Sequence, residues 1–254
     1  MAKHTYYYHS DTDDVVNSHD QSYSLPDDYT ILPTSLGAKI WSPIVRVIAT
    51  ILSWLYSRLI IHIHIIGKEK VKKVKDQGYF IYGNHTRPVG DVFTPLIIFP
   101  ILNFYAIAAQ ANWGIPFIGK FVMPYAGLPV GHDIKQSLKL IQAIKTVINK
   151  KKGVVLIYPE AHVWPYYTKI RPFDPTSMHF PVALNAPSFT MTTTYHKPRF
   201  GKRPKIVIYI DGPFYPDLHL NRKKAQIKLH DQIWDTLNKR AKLSNYQYYN
   251  YKQK

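Results

Sequence analysis

The chain is 254 residues long, enough for one large α/β domain with a short appendage or at most two small domains. It has no cysteine, which excludes disulfides, thiolate metal sites and a cysteine nucleophile together. The formal net charge of +17 is uneven: residues 1–33 hold six Asp against Lys3 alone, so the rest is strongly basic and suited to polyanions such as nucleic acid, anionic lipid headgroups or phosphorylated carriers.

Residues 1–33 are polar, acidic and tyrosine-rich, without periodicity. They read as a mobile or surface-hugging arm, and their first residues lack the apolar stretch of a secretory signal. Residues 40–58 read as a helix after Pro43, apolar throughout, with Trp41, Trp54 and Tyr56 near its ends. Arg46 and Arg58 interrupt it as a membrane span. The expectation is a helix lying in the membrane interface, aromatics at headgroup depth and arginines reaching water; a soluble core helix is the alternative. This divides the chain into an arm and interface helix, 1–58, and an α/β domain, 59–254.

Residues 59–66 read as a strand, which would set His62 and His64 on one face. No third ligand stands at a telling spacing, so no metal site is expected. The basic stretch 68–75 follows, then a strand at 79–82, a turn, and a helix over 91–101 with Asp91 as its N-cap. Further strands are expected at 106–109, 154–158, 188–195 and 205–210. Helices are expected at 134–151, with a cationic last turn and a Gly153 stop, and at 220–243. The alternation implies an α/β fold with a mostly parallel central sheet flanked by helices, preceded by the N-terminal interfacial helix. In such sheets reactive residues gather in loops beyond the strand ends.

Two loops stand there. In Gly83-Asn84-His85-Thr86-Arg87-Pro88-Val89-Gly90-Asp91, His85 is able to take a proton from a hydroxyl and Asp91 to hold the other ring nitrogen. The bland alternative is a turn in which both only cap backbone. Tyr158-Pro159-Glu160-Ala161-His162 places a carboxylate directly after a buried strand, either to bind an acceptor hydroxyl or to serve as a cap or ion pair.

These segments, with Ala126 to His132 and Asn185 to Phe189, resemble in order and spacing the glycerolipid acyltransferases, the lysophosphatidic acid acyltransferases and their relatives, over about residues 59 to 210. The resemblance implies transfer of a fatty acyl group from acyl-CoA or acyl-acyl-carrier protein, as co-substrate rather than bound cofactor, to a lysophospholipid-like hydroxyl. His85 would be the base and Asp91 its orienter, with backbone amides after the strand around the oxyanion. Asn84, Arg87, His132, Glu160, His162 and Arg171 fall at positions for substrate. Five residues separate His85 from Asp91 where the family has four, and Gly90 is expected to absorb the extra one. The family's phosphate-binding arginines correspond to His132 and Val163, and the glycine of its third motif to Ala161. Valine cannot grip phosphate, so Arg87, Arg171 or Lys169 makes that contact or the acceptor lacks the phosphate. The expected setting is the cytoplasmic side of a membrane, peripheral or monotopic, against an anionic surface. The other readings are a non-catalytic lipid binder, a thioester hydrolase and a nucleic-acid binder, the last disfavoured because no nucleic-acid motif is present.

Overall fold

A computed structural model describes residues 4–16, 22–99 and 101–254; residues 1–3 and 17–21 of the expected arm, and Pro100 of the expected helix, lie outside them. The strands are β1 (Thr5–Tyr8), β2 (His64–Ile66), β3 (Tyr79–Gly83), β4 (Phe104–Ala108), β5 (Gly127–Pro129), β6 (Val154–Ile157), β7 (Ser188–His196), β8 (Lys205–Phe214) and β9 (Asn250–Gln253). The α-helices are α1 (Leu36–Leu55), α2 (Gly90–Ile98), α3 (Ile118–Phe121), α4 (Met123–Ala126), α5 (Ile134–Lys145), α6 (His179–Leu184) and α7 (Arg222–Ala241).

Seven strands form the central sheet in the order β2-β8-β7-β3-β6-β4-β5. The five from β7 to β5 run parallel, while β8 is antiparallel to β7 and β2 runs with β8. The expected α/β architecture is therefore present, with a mixed edge. β3 is buried along its whole length because it is covered on both faces, which is why it reads as an unbroken apolar run. Its side chains alternate between two cores. Phe80 and Tyr82, with Val155 and Ile157, pack against Ile144 of α5 and Leu229, Ile233 and Leu237 of α7. Tyr79 and Ile81, with Val154 and Leu156, pack on the other face against Leu96 and Ile98 of α2 and Ala49 of α1.

Helix α1 corrects the sequence reading at both ends. It starts at Leu36, where the Ser35 hydroxyl accepts from the Ala38 amide, and it contains Pro43. At its far end Tyr56–Ile61 continue as a wider π turn, and His62 closes it in a left-handed conformation at φ 53°. The expected strand over 59–66 thus shrinks to β2. His62 and His64 do not share a strand face, and no group of three or more His, Asp or Glu side chains able to hold a metal occurs among the described residues.

Leu36–Ile61 is long and apolar enough to cross a membrane. Only a narrow stripe, Ala38, Arg46, Ala49 and Ser53, is buried against the body, whereas Trp41, Ile48, Ile51, Leu52 and Trp54 are more than half exposed. A soluble core helix would not leave that face open. Arg46 does not reach water as expected. Its guanidinium turns inward, donating to the carbonyls of Phe104 (2.7 Å) and Tyr125 and lying 4.6 Å from the Tyr105 ring centre. Its Nε donates to the Ser42 hydroxyl one turn back at 3.2 Å, and the carbonyls behind the helix satisfy the rest of the buried cation.

Of the arm, β1 pairs in parallel with β9, so the two ends of the chain form a separate two-stranded ribbon. The surface-hugging alternative describes its visible residues. Leu25 is anchored by the Gln110 side chain at 2.7 Å.

Candidate active site

β3 delivers its C-terminal loop to the sheet edge, and β6 delivers residues 158–164 beside it. Asn84 fixes the first loop. Its amide accepts from the Thr193 N–H at 2.8 Å and donates to the Thr193 carbonyl at 3.0 Å, so it is a buried clamp on β7.

The His85 Nδ1 lies 2.8 Å from Asp91 Oδ2. The same carboxylate oxygen accepts the amides of Thr86 and Arg87, each at 2.9 Å. Asp91 is buried in the first turn of α2, which Val89 leads without a side-chain cap. The carboxylate therefore turns back onto its own loop and is not the expected N-cap. Because carboxylate accepts at Nδ1, that nitrogen carries the proton and Nε2 presents its lone pair. His85 keeps 24% side-chain exposure, and Nε2 has no hydrogen-bond partner among the described residues.

The extra residue is accommodated by a short loop that closes on the Asp91 carboxylate. Gly90 has no positive φ, so it does not absorb the extra residue through a conformation reserved for glycine. Its role is close approach: a Cβ at Gly90 would sit 2.0 Å from the Arg87 guanidinium carbon. Arg87 is 4% exposed and donates to the Thr94 hydroxyl at 2.5 Å, with no carboxylate partner among the described residues. It is a buried cation whose guanidinium is held by a hydroxyl.

Tyr158 was legible only as part of a motif. Its ring stacks on the His85 imidazole, centres 4.4 Å apart and planes 11° apart, and its hydroxyl donates to the Asp91 carbonyl at 2.8 Å. Burial raises its pKa well above the usual tyrosine value, with the Asp91 charge adding to the rise, so it remains a neutral donor. One ring thus orients both members of the His–Asp pair.

Glu160 is 5% exposed and both its oxygens are occupied. Oε2 accepts the His85 amide at 3.0 Å and an Arg171 N–H at 3.3 Å, and Oε1 accepts the Arg171 amide at 2.9 Å. Burial raises its pKa, opposed chiefly by Arg171. The His85, Thr86 and Arg87 amides are all given to carboxylates, so these three are not available to an oxyanion. Two buried carboxylates, one from each loop, require those donors.

Arg171 is fully buried. It donates to the carbonyls of His162 and Asp11 and lies 4.7 Å from the Trp164 ring centre, while its Nε has no partner among the described residues. His162 sits at the rim, its Nδ1 3.7 Å from the Asp14 carboxylate. Ala161, where the resemblance places a glycine, holds φ 62°, a conformation that glycine adopts at lower cost. His132 is exposed beyond β5, three strand positions from β3 and hence on the order of 14 Å away across the sheet. It stands apart from the His–Asp pair, and Lys169 is exposed.

Sequence reasoning missed the strap over this loop. Trp164 donates its indole N–H to the Asp13 carbonyl at 2.8 Å and stacks on Tyr251 of β9, which in turn stacks on Tyr6 of β1. The amides of Trp164 and Tyr166 donate to the carbonyls of His85 and Thr86, so the strap bears on the His85 loop.

No family profile matches the chain, and no curated protein sequence does. Its structure is similar to the crystal structure of the 1-acyl-sn-glycerophosphate (LPA) acyltransferase, PlsC, from Thermotoga maritima. The TM-score is 0.54, covering 85% of this chain and 86% of that one at 14% identity. The likeness is one of fold. It fixes no substrate and no site residue.

Proposed function

We propose that the chain is a membrane-associated O-acyltransferase that moves a fatty acyl group from a thioester, acyl-CoA or acyl-acyl-carrier protein, to the hydroxyl of a lysophospholipid-like acceptor. The observation that carries this reading is the 2.8 Å contact of His85 Nδ1 with Asp91, which leaves Nε2 open at the end of β3 in a fold shared with an acyltransferase. Nε2 takes the acceptor's hydroxyl proton as its oxygen attacks the thioester carbonyl. Asp91 stabilises the imidazolium. The tetrahedral intermediate collapses by breaking the C–S bond, and the imidazolium returns its proton to the leaving sulfur, so the products are an ester and a free thiol. No covalent enzyme intermediate is needed.

Glu160 supports this reading as a bolt between the two loops rather than as an acceptor contact, because its oxygens are engaged. Arg171 is spent on Glu160 and on backbone. That leaves Arg87, together with the N-terminal end of α2, to supply positive potential near the reacting carbonyl or an acceptor phosphate. The exposed face of α1 supports monotopic attachment to a membrane, the phase that holds a lipid acceptor.

The test is incubation with palmitoyl-CoA and a panel of acceptors: lysophosphatidic acid, glycerol 3-phosphate, other lysophospholipids, a glycolipid and none. Products are identified by mass. A new ester on one acceptor supports the reading, and free fatty acid without acceptor dependence replaces it with a hydrolase.

A further inference from the structure

The turn between β7 and β8 reads Lys-Pro-Arg-Phe-Gly-Lys-Arg-Pro-Lys over 197–205, five cations without an acid. All five cations are exposed, and at the tip Phe200 is 83% exposed. Arg199 lies 5.4 Å from the Phe200 ring centre. Among the described residues Lys197, Arg199, Arg203 and Lys205 have no ion pair. A large exposed aromatic at the apex of so basic a turn has no use within the fold itself.

The turn is nonetheless held. The Lys197 amide donates to the Asn245 side chain at 2.9 Å, and the Tyr246 hydroxyl donates to the Lys202 carbonyl at 3.0 Å. Its position follows from register. Gly83 pairs with Met191, and β7 then runs five residues further in the direction in which β3 opens into the His85 loop, so the turn projects from the catalytic edge of the sheet. Beside it, β2 runs parallel to β8 with His64 opposite Val207. The apolar end of the α1 extension, with Leu59 and Ile60 exposed, therefore emerges at the end of the sheet where Lys205 begins β8. An apolar helix end and a basic, aromatic-tipped turn share one edge.

We infer that the 197–205 turn is a second membrane anchor, in which the cations bind anionic lipid headgroups while Phe200 enters the interface, setting the catalytic edge against the bilayer. A bilayer fits because it alone offers a wide anionic plane backed by an apolar layer to both features at once. The anchor goes beyond acyl transfer and is testable without turnover.

The experiment is vesicle sedimentation of the full chain, on neutral phosphatidylcholine vesicles and on vesicles with about a third anionic phosphatidylglycerol, at low salt. Each surface cation is worth about fivefold in partitioning. Arg199→Gln/Arg203→Gln/Lys205→Gln should therefore weaken binding to the anionic vesicles by about 100-fold, with neutral-vesicle binding and the thermal melt unchanged. Because the chain has no cysteine, Phe200→Cys gives a single site for an environment-sensitive fluorophore. Its emission should shift to the blue on anionic vesicles and stay unshifted with inorganic phosphate. Unchanged partitioning of the triple variant overturns the inference, as does an unshifted label on vesicles. Loss confined to an acidic carrier protein or an oligonucleotide, with vesicle binding intact, also overturns it.

Discussion

At the scale of single residues, the account turns on how one carboxylate oxygen is shared. Asp91 Oδ2 serves His85 and two backbone amides, so orientation of the base and closure of the loop are one feature. Asp91→Ala orphans both amides and should cost about 2–4 kcal/mol of stability in denaturant melts. Asp91→Asn keeps an acceptor oxygen in place. It should melt nearly as wild type yet turn over more slowly, because the imidazolium loses its counter-charge. Equal activity in Asp91→Asn would remove Asp91 from the chemistry. The order His85, Asp91, Glu160 was legible because strand-end loops with such residues are local patterns. What Glu160 and Arg171 touch was not, since that pairing depends on how two loops from different strands meet in three dimensions. Nor did any sequence signal show that Asn84 faces β7 rather than substrate.

At the scale of elements, α1 and the Asp211 junction make separate predictions. Ile48 and Leu52 stand on the open face of α1. Ile48→Glu/Leu52→Glu should abolish binding to neutral vesicles without lowering the thermal melt. A large fall in the melt would instead mark that face as core. Asp211 on β8 accepts from Arg240 of α7 at 2.7 Å and from Lys70 at 2.7 Å. Those partners, Arg240 foremost, hold its carboxyl below the usual range. A lowered folded pKa means that the junction stabilises above the ordinary carboxylate pKa, about 4, and that this is lost as pH falls through the lower folded value. The junction is partly exposed, so the effect is about 1 kcal/mol or less. Asp211→Asn should flatten the acid limb of the stability curve and leave its slope at neutral pH unchanged. Among the elements, buried strands such as β3 and β6 were readable as apolar runs. The run 59–66 was not, because a short apolar stretch suits a helix end as well as a strand, and its first three residues continue the helix. β5 escaped notice because it has three residues.

At the scale of the whole molecule, the two ends of the chain close over the loop that carries Glu160. Tyr6, Tyr251, Trp164 and Arg171 stack in sequence, and the Asp11 and Asp13 carbonyls accept from Arg171 and Trp164. The high tyrosine content serves this strap in part, a use that pairs residues more than 240 apart and leaves no local pattern. Deleting residues 1–16 should cost about 2–4 kcal/mol through the two orphaned donors. It should also slow turnover, because the strapped loop holds the His85 and Thr86 carbonyls. A truncated chain with unchanged melt and rate would make the strap incidental. The account as a whole stands on acyl transfer by His85, and the most direct measurement is thiol release from palmitoyl-CoA on anionic vesicles, wild type beside His85→Ala. The account predicts release that requires a lysolipid acceptor and falls at least about a hundredfold in the mutant while the melt stays near wild type. Acceptor-dependent release at the same rate in His85→Ala would contradict it.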